Sequence, residues 1–278
     1  MIQPPLVIAI QSQVCWGHVG NSAAAFPMRG AGVAVAEVPT TLLSNHPRHP
    51  TMRGRALEGA LVADLLRGIE ERGAAAQASW VLSGYLGRAD TAHAVADFVA
   101  RAKAANPGLR YLCDPVMGDD DLGFFAPPEV AAAIAERLVP MADALTPNRF
   151  ELGALTGAPV ADAAQAAAAA RGLAPLVAVT GVAGAGEVAT VVTAGERTWA
   201  VRTPLLDRRP AGTGDLFAGL WLALLALGRD PAEAAALAVS GVFAALEATD
   251  PAPWAEMPLT ARLAEVLAPE RRFKAGAA

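Results

Sequence analysis

Apolar, strand-like runs alternate with runs of helical spacing along most of this chain. That alternation restricts the fold more than any other feature. "LVIAIQSQV" (6–14), "VAVAEVPT" (33–40), "SWVLSGY" (79–85), "RYLCDPV" (110–116), "ADALTP" (142–147) and "LVAVTGV" (176–182) read as strands. Helices are predicted between them at about 20–32, 57–72, 90–105, 127–138, 148–155 and 160–172, with Pro27 placed to bend the first. "EVATVVTAG" (187–195) and "RTWAVRTP" (197–204) follow as further β runs joined by glycine-containing turns, and two alanine-rich helices at about 214–228 and 231–248 finish the core. The pattern predicts an α/β protein of three layers: a mostly parallel central sheet, helices on both faces and a late β-meander. No linker divides the chain, so one domain over residues 1–278 is expected. "LLSNHPRHPTMRGR" (42–55) reads as a loop or flap. The opening "MIQPPLVIAI" lacks a basic leader and a small-residue cleavage site, and reads as a strand entering the fold.

Composition removes several function classes. A hydrophobic fraction of 54% with 18% charged residues is that of a globular chain. A net charge of −5 without any block of lysine or arginine argues against a nucleic-acid partner. "DLFAGLWLALLALGRD" is too short between its aspartates to span a bilayer and suits a buried helix, so no membrane partner is expected. Cys15 and Cys113 both adjoin apolar runs, which gives no disulfide framework and points to a reducing, cytoplasmic setting.

Ligands of such sheets bind where strands give way to loops at their carboxyl ends. That rule selects Ser12, Thr40, Tyr85, Asp114, Thr146, Asn148 and Thr180. Asp114 closes an apolar strand, where a carboxylate is costly unless solvated, paired or bound to a metal; a place near phosphate and Mg²⁺ is favoured over a turn-forming Asp-Pro. Asn148 and Glu151 have the spacing of a capping box, and the same geometry would let Glu151 hold a hydrated Mg²⁺. In "RPAGTGDLFAGL" (209–220), Asp215 either supports a helix start electrostatically or acts as a base facing an anion cradled by Gly212, Thr213 and Gly214. There is no Walker phosphate loop, and "GVAGAGE" lies between strands, where a turn is the better reading. No G-x-S-x-G elbow is present. His46 and His49 have no Cys, Asp or Glu nearby in sequence to complete a metal site, so loop polarity explains them better. His18 is divided between ligand contact and structure, and Cys113 reads as core.

Six stretches, at 12–22, 44–46, 83–87, 113–118, 146–151 and 212–219, together resemble the pyridoxal kinases of the ribokinase-like superfamily. "QSQVCWGHVGN", "SNH", "SGYLG", "CDPVMGD", "TPNRFE" and "GTGDLFAG" carry the likeness, in the family's order and along nearly the whole chain. The resemblance implies ATP-dependent phosphorylation of the 5′-hydroxymethyl group of pyridoxal, with ATP and Mg²⁺ required and a monovalent cation left open. By the same likeness Asp215 is the general base, and the amides of Gly212, Thr213 and Gly214 form the anion hole. Asp114 and Glu151 organise Mg²⁺; Thr146, Asn148, Thr180 and Thr213 lie near the ATP phosphates. Ser12, Thr40 and Tyr85 line the ring pocket, and a homodimer is implied. Four departures stand out: His49 and Met52 replace the usual flap tyrosine and tryptophan, Gln13 replaces a histidine, "TPLLDRRPAGTGD" is short, and Phe125 stands near a tyrosine position. A hydroxymethylpyrimidine or other small-alcohol kinase, and a B6-vitamer binding protein of weak activity, remain as alternatives.

Overall fold

The computed structural model describes residues 3–252 and 255–278; Met1 and Ile2, expected to lead into the first strand, lie outside them. The chain runs β1 (Leu6–Val14), α1 (Asn21–Gly30), β2 (Ala34–Leu43), β3 (Gly54–Ala56), α2 (Gly59–Glu71), α3 (Ala74–Gln77), β4 (Ala78–Ser83), α4 (Ala89–Ala105) and β5 (Arg110–Cys113). A small hairpin, β6 (Gly118–Asp119) and β7 (Gly123–Phe124), precedes α5 (Pro128–Ala133), β8 (Ala144–Leu145), α6 (Arg149–Thr156) and α7 (Ala163–Ala170). Then come β9 (Leu176–Ala183), β10 (Glu187–Ala194), β11 (Arg197–Pro204), α8 (Thr213–Ala226), α9 (Pro231–Glu247), α10 (Leu259–Leu267) and β12 (Ala275–Ala277).

Ten strands form one sheet in the order β12-β11-β10-β9-β8-β5-β4-β1-β2-β3. The pairings from β2 through β1, β4, β5 and β8 to β9 are all parallel. The expected meander, β9 to β11, adds antiparallel strands at one edge, and β12 extends it. Side chains of β1 show why helices cover both faces. Ile8 and Ile10 join a core packed by α2, α4, α5, α6 and α7, whereas Val7 and Ala9 join one packed by α1, α8, α9 and α10. A strand buried on both sides reads as a continuous apolar run, which is what 6–10 is. α8 is apolar all round because it lies between α1 and α9: Leu216 through Ala223 are buried without interruption.

Three local expectations need correction. Residues 42–55 are not wholly loop: β2 continues to Leu43 and β3 returns antiparallel, pairing Thr41 with Ala56 and Leu43 with Gly54. The flap is thus a hairpin with its tip at 44–53. The helix expected at 127–138 is α-helical only to Ala133 and then widens into a π-type turn over Ile134–Leu138. Pro140 lies just beyond, with no N–H to carry a regular helix onward. Finally, α10 and β12 were not expected. α10 places apolar residues at 259, 263, 266 and 267, a helical spacing.

Candidate active site

The carboxyl ends of β1, β2, β4, β5, β8 and β9 converge at one edge of the sheet, and the expected residues sit there. Asp114 follows β5 and is 4% exposed. Its Oδ1 accepts the Thr146 hydroxyl proton at 2.9 Å. Thr146 follows β8, and Asn148 forms an isolated parallel bridge with Thr180 of β9.

Glu151 starts α6 as part of a true capping box. Asn148 Oδ1 accepts the Glu151 N–H at 2.9 Å, and Glu151 Oε2 accepts the Asn148 N–H at 2.9 Å. Its other oxygen accepts the Met117 amide at 3.0 Å and the Gly118 amide at 3.5 Å. Asn148 Nδ2 also donates to the Gly118 carbonyl at 2.8 Å. One carboxylate therefore fixes both a helix start and the turn after β5.

These acids strain one another electrically. Burial raises the Asp114 carboxyl well above its ordinary range, and the charges of Glu151 and Asp215 add to the effect against the Thr146 bond. Burial pushes Glu151 up to about 8 despite the three amides. Burial raises Asp215 as well, opposed by the Gly20 N–H. No lysine or arginine among the described residues offsets these charges. An oxygen-only donor set of this kind fits Mg²⁺, which keeps several waters and takes one or two carboxylates. Glu151, already holding amides on both oxygens, is placed to meet such an ion through water.

Asp215 is half-buried in the first turn of α8, which begins at Gly212. Gly212 has φ 86°, and a Cβ there would fall 2.0 Å from the His18 carbonyl oxygen. Only glycine fits on both counts. The first amides of a helix have no partner within it, so those of Thr213, Gly214 and Asp215 point outward. Beyond its chain neighbours and its own helix backbone, no atom would lie within 4 Å of a Cβ on Gly214, so the bend is open on that face.

The neighbouring pocket is built by β1 and β2. Their register slips between Gln11 and Gln13, so Thr40 and Thr41 stand opposite Ser12. Such an irregularity re-aims side chains at a strand end. Ser12 and Thr40 are buried, and the Thr40 hydroxyl donates to the Tyr85 carbonyl at 2.6 Å. The Tyr85 ring lies 6.3 Å from that of Phe125, and burial raises its phenol.

Other residues fall as follows. Cys113 is core, its thiol pushed up to about 12 by burial, and Cys15 is a free exposed thiol. Of the 181–187 stretch only 184–186 form the turn between β9 and β10; 181–183 belong to β9 and Glu187 opens β10. The histidines require correction. His46 and His49 do have a carboxylate neighbour, Glu256, at 3.1 and 3.3 Å. It lies 207 residues beyond His49, so no local signal could have found it. Arg48 was also missed; it reaches Asp119 at 3.2 Å and the Arg209 carbonyl at 3.0 Å.

This sheet order, with an acid-rich strand edge facing a glycine bend at a helix start, defines a ribokinase-like kinase. The phosphomethylpyrimidine kinase family matches residues 67–256. The pyridoxal kinase PdxY of Rubrobacter xylanophilus is 42% identical over 276 residues, covering 96% of this chain and 95% of that one. The pyridoxal kinase PdxY of Deinococcus radiodurans is 39% identical over 286 residues, covering 98% and 96%. The solved pyridoxal kinase of Leishmania donovani in complex with ADP and pyridoxine is 26% identical, with a TM-score of 0.90 over 98% of this chain and 99% of that one. The pyridoxal kinase of Entamoeba histolytica, 23% identical and covering 100% of both chains, has the same fold at a TM-score of 0.92. The chain belongs to the pyridoxal kinase family.

Proposed function

We propose that this kinase transfers the γ-phosphoryl group of ATP to the 5′-hydroxymethyl group of pyridoxal, giving pyridoxal 5′-phosphate. The observation that carries this reading is the meeting of Asp215 and the open Gly212–Gly214 bend with the Asp114–Glu151 pair. In-line phosphoryl transfer asks for positioning and charge stabilisation more than for covalent chemistry. Asp215 accepts the hydroxyl proton; burial has raised its basicity above that of an exposed aspartate. The amides of Thr213, Gly214 and Asp215 steady the moving phosphoryl oxygens. Asp114 and Glu151 would hold Mg²⁺, which would neutralise charge on the ATP phosphates, with Thr146, Asn148 and Thr180 flanking them. Ser12, Thr40 and Tyr85 receive the pyridine ring. In this reading the chain works as one domain, in the cytoplasm, as a homodimer.

A panel assay tests it: ADP release with ATP, Mg²⁺ and, side by side, pyridoxal, pyridoxine, pyridoxamine and hydroxymethylpyrimidine. Pyridoxal is expected to give the highest kcat/KM. A clear preference for hydroxymethylpyrimidine moves the substrate to the neighbouring branch. Tight vitamer binding without ADP release makes the chain a binding protein. No helix among the described residues is long and apolar enough to cross a membrane.

A further inference from the structure

Glu256 lies between α9 and α10, yet it meets two segments distant in sequence, the β1–α1 loop and the flap tip. Its Oε2 accepts the His18 N–H at 3.1 Å. Its Oε1 lies 3.1 Å from His46 Nε2 and 3.3 Å from His49 Nε2 at the flap tip. The Gly17 backbone packs so closely on this carboxylate that a Cβ would fall 2.2 Å from Oε1. The segment it grips backs the catalytic bend: a Cβ on Gly212 would fall 2.0 Å from the His18 carbonyl oxygen, and the Gly20 N–H faces Asp215 and opposes the rise of its carboxyl.

Hydrogen bonding fixes the role of His46. Its Nδ1 accepts the Arg48 N–H at 3.2 Å, so in the neutral ring Nε2 carries the proton and turns it toward Glu256. That contact is bent, so it acts chiefly through charge and dipole, while His49 supplies the better-aligned bond. Two imidazoles and a carboxylate are also a donor set for Zn²⁺. The Arg48 amide on Nδ1 works against coordination, because a ligating imidazole normally donates from its other nitrogen.

We propose that Glu256 is a positioning residue that holds the flap tip and the β1–α1 loop in one register against the Gly212–Asp215 bend. The proposal rests on the kinase reading above. It also accounts for a flap without the family's tyrosine and tryptophan: His49, at one of those places, joins the flap through a hydrogen bond instead.

The test compares the full-length wild type with E256A, E256Q, H49A and E256A/H49A by two readouts. The first needs no activity: trypsin cleavage at Arg53 and Arg55, which are exposed on the flap. E256A is expected to be cut about five- to tenfold faster, since local opening governs such cleavage. The second is kinetic: E256A should raise the KM for pyridoxal about tenfold, the loss of a charged hydrogen bond, and leave the KM for ATP within about twofold. E256Q keeps one acceptor oxygen, enough for the His18 N–H or for the histidines but not for both, and should recover part of each loss; H49A should add less to E256A than to wild type. Should E256A not fold, H49A carries both readouts alone. Wild-type cleavage rates in E256A and H49A overturn the proposal. So does one tightly held zinc per purified wild-type chain that E256A lacks. If no B6 vitamer is phosphorylated by the wild type, the kinase reading fails, and the trypsin readout still decides the latch.

Discussion

Asp114, Glu151 and Asp215 hang from strand ends and helix starts of the central sheet, whereas His46, Arg48 and His49 hang from a hairpin that projects from its edge. The acids are held by backbone amides and by one another's surroundings. The flap is held by side chains from elsewhere: Arg48 to Asp119, and both histidines to Glu256. A buried charge without a counter-ion is unstable by itself and gains from a bound cation. A partly exposed ion pair is weak and reversible, typically below about 1 kcal/mol. The contrast teaches a division of labour: the rigid wall stores electrostatic demand, and the flap supplies contacts that can open and close.

The sharpest way to break that comparison is at Asp215. Asp215→Asn should lower kcat by about 10²–10⁴-fold while costing little stability, because general-base catalysis contributes on that scale. An ADP-release assay beside a melting curve checks it; turnover near that of the wild type would falsify the assignment.

Asp114→Asn separates demand from stability. In the folded chain Asp114, Glu151 and Asp215 all titrate above their ordinary values. Such groups stabilise the fold fully below the unfolded carboxyl pKa, and lose that contribution as pH rises through the folded one. Without divalent cations, wild-type melting should therefore fall from pH 5 toward pH 8, the range spanned by Glu151 at about 8. Mg²⁺ should flatten the fall. Asp114→Asn keeps an acceptor for Thr146 and removes one charge, so in EDTA at pH 8 it should melt above wild type, with kcat down about 10–100-fold. A lower melting temperature there would show that the acids are not in conflict.

The smallest effect belongs to the flap. Arg48→Ala removes a partly exposed pair, costing about 0.5–1 kcal/mol at most. It should raise the KM for pyridoxal a few-fold and lower the melting temperature by no more than about 2–4 °C. An equal loss in kcat would mean that the flap shapes the transition state, and the division drawn above would blur.

The legible part of this molecule was what is written locally. β5, β8 and β9 carry the apolar runs 111–113, 144–145 and 176–179, and Asp114, Thr146 and Thr180 stand where those runs stop. Asn148 and Glu151 announced their capping box by spacing alone. β3 was hidden because His46, Pro47 and Pro50 interrupt the approach to it, although Gly54–Ala56 needs only three residues to pair with β2. β12 is the tripeptide Ala275–Ala277, too short for any periodicity, and it is a strand only because β11 offers a partner. α10 did carry a signal in Leu259, Leu263, Val266 and Leu267. Glu256 carried none. Its partners lie 207 to 238 residues away, and a single acid in "WAEMP" resembles any surface acid.

Glu151 holds a helix start with one oxygen and the turn at Met117–Gly118 with the other. An ion or nucleotide arriving there meets a group whose two arms already grip different parts of the framework. Any pull on that side chain is transmitted at once to α6 and to the β6–β7 hairpin, whose Asp119 the flap arginine grasps. Under the proposed function, the nucleotide side and the flap therefore share one chain of contacts, from Glu151 through Gly118 and Asp119 to Arg48.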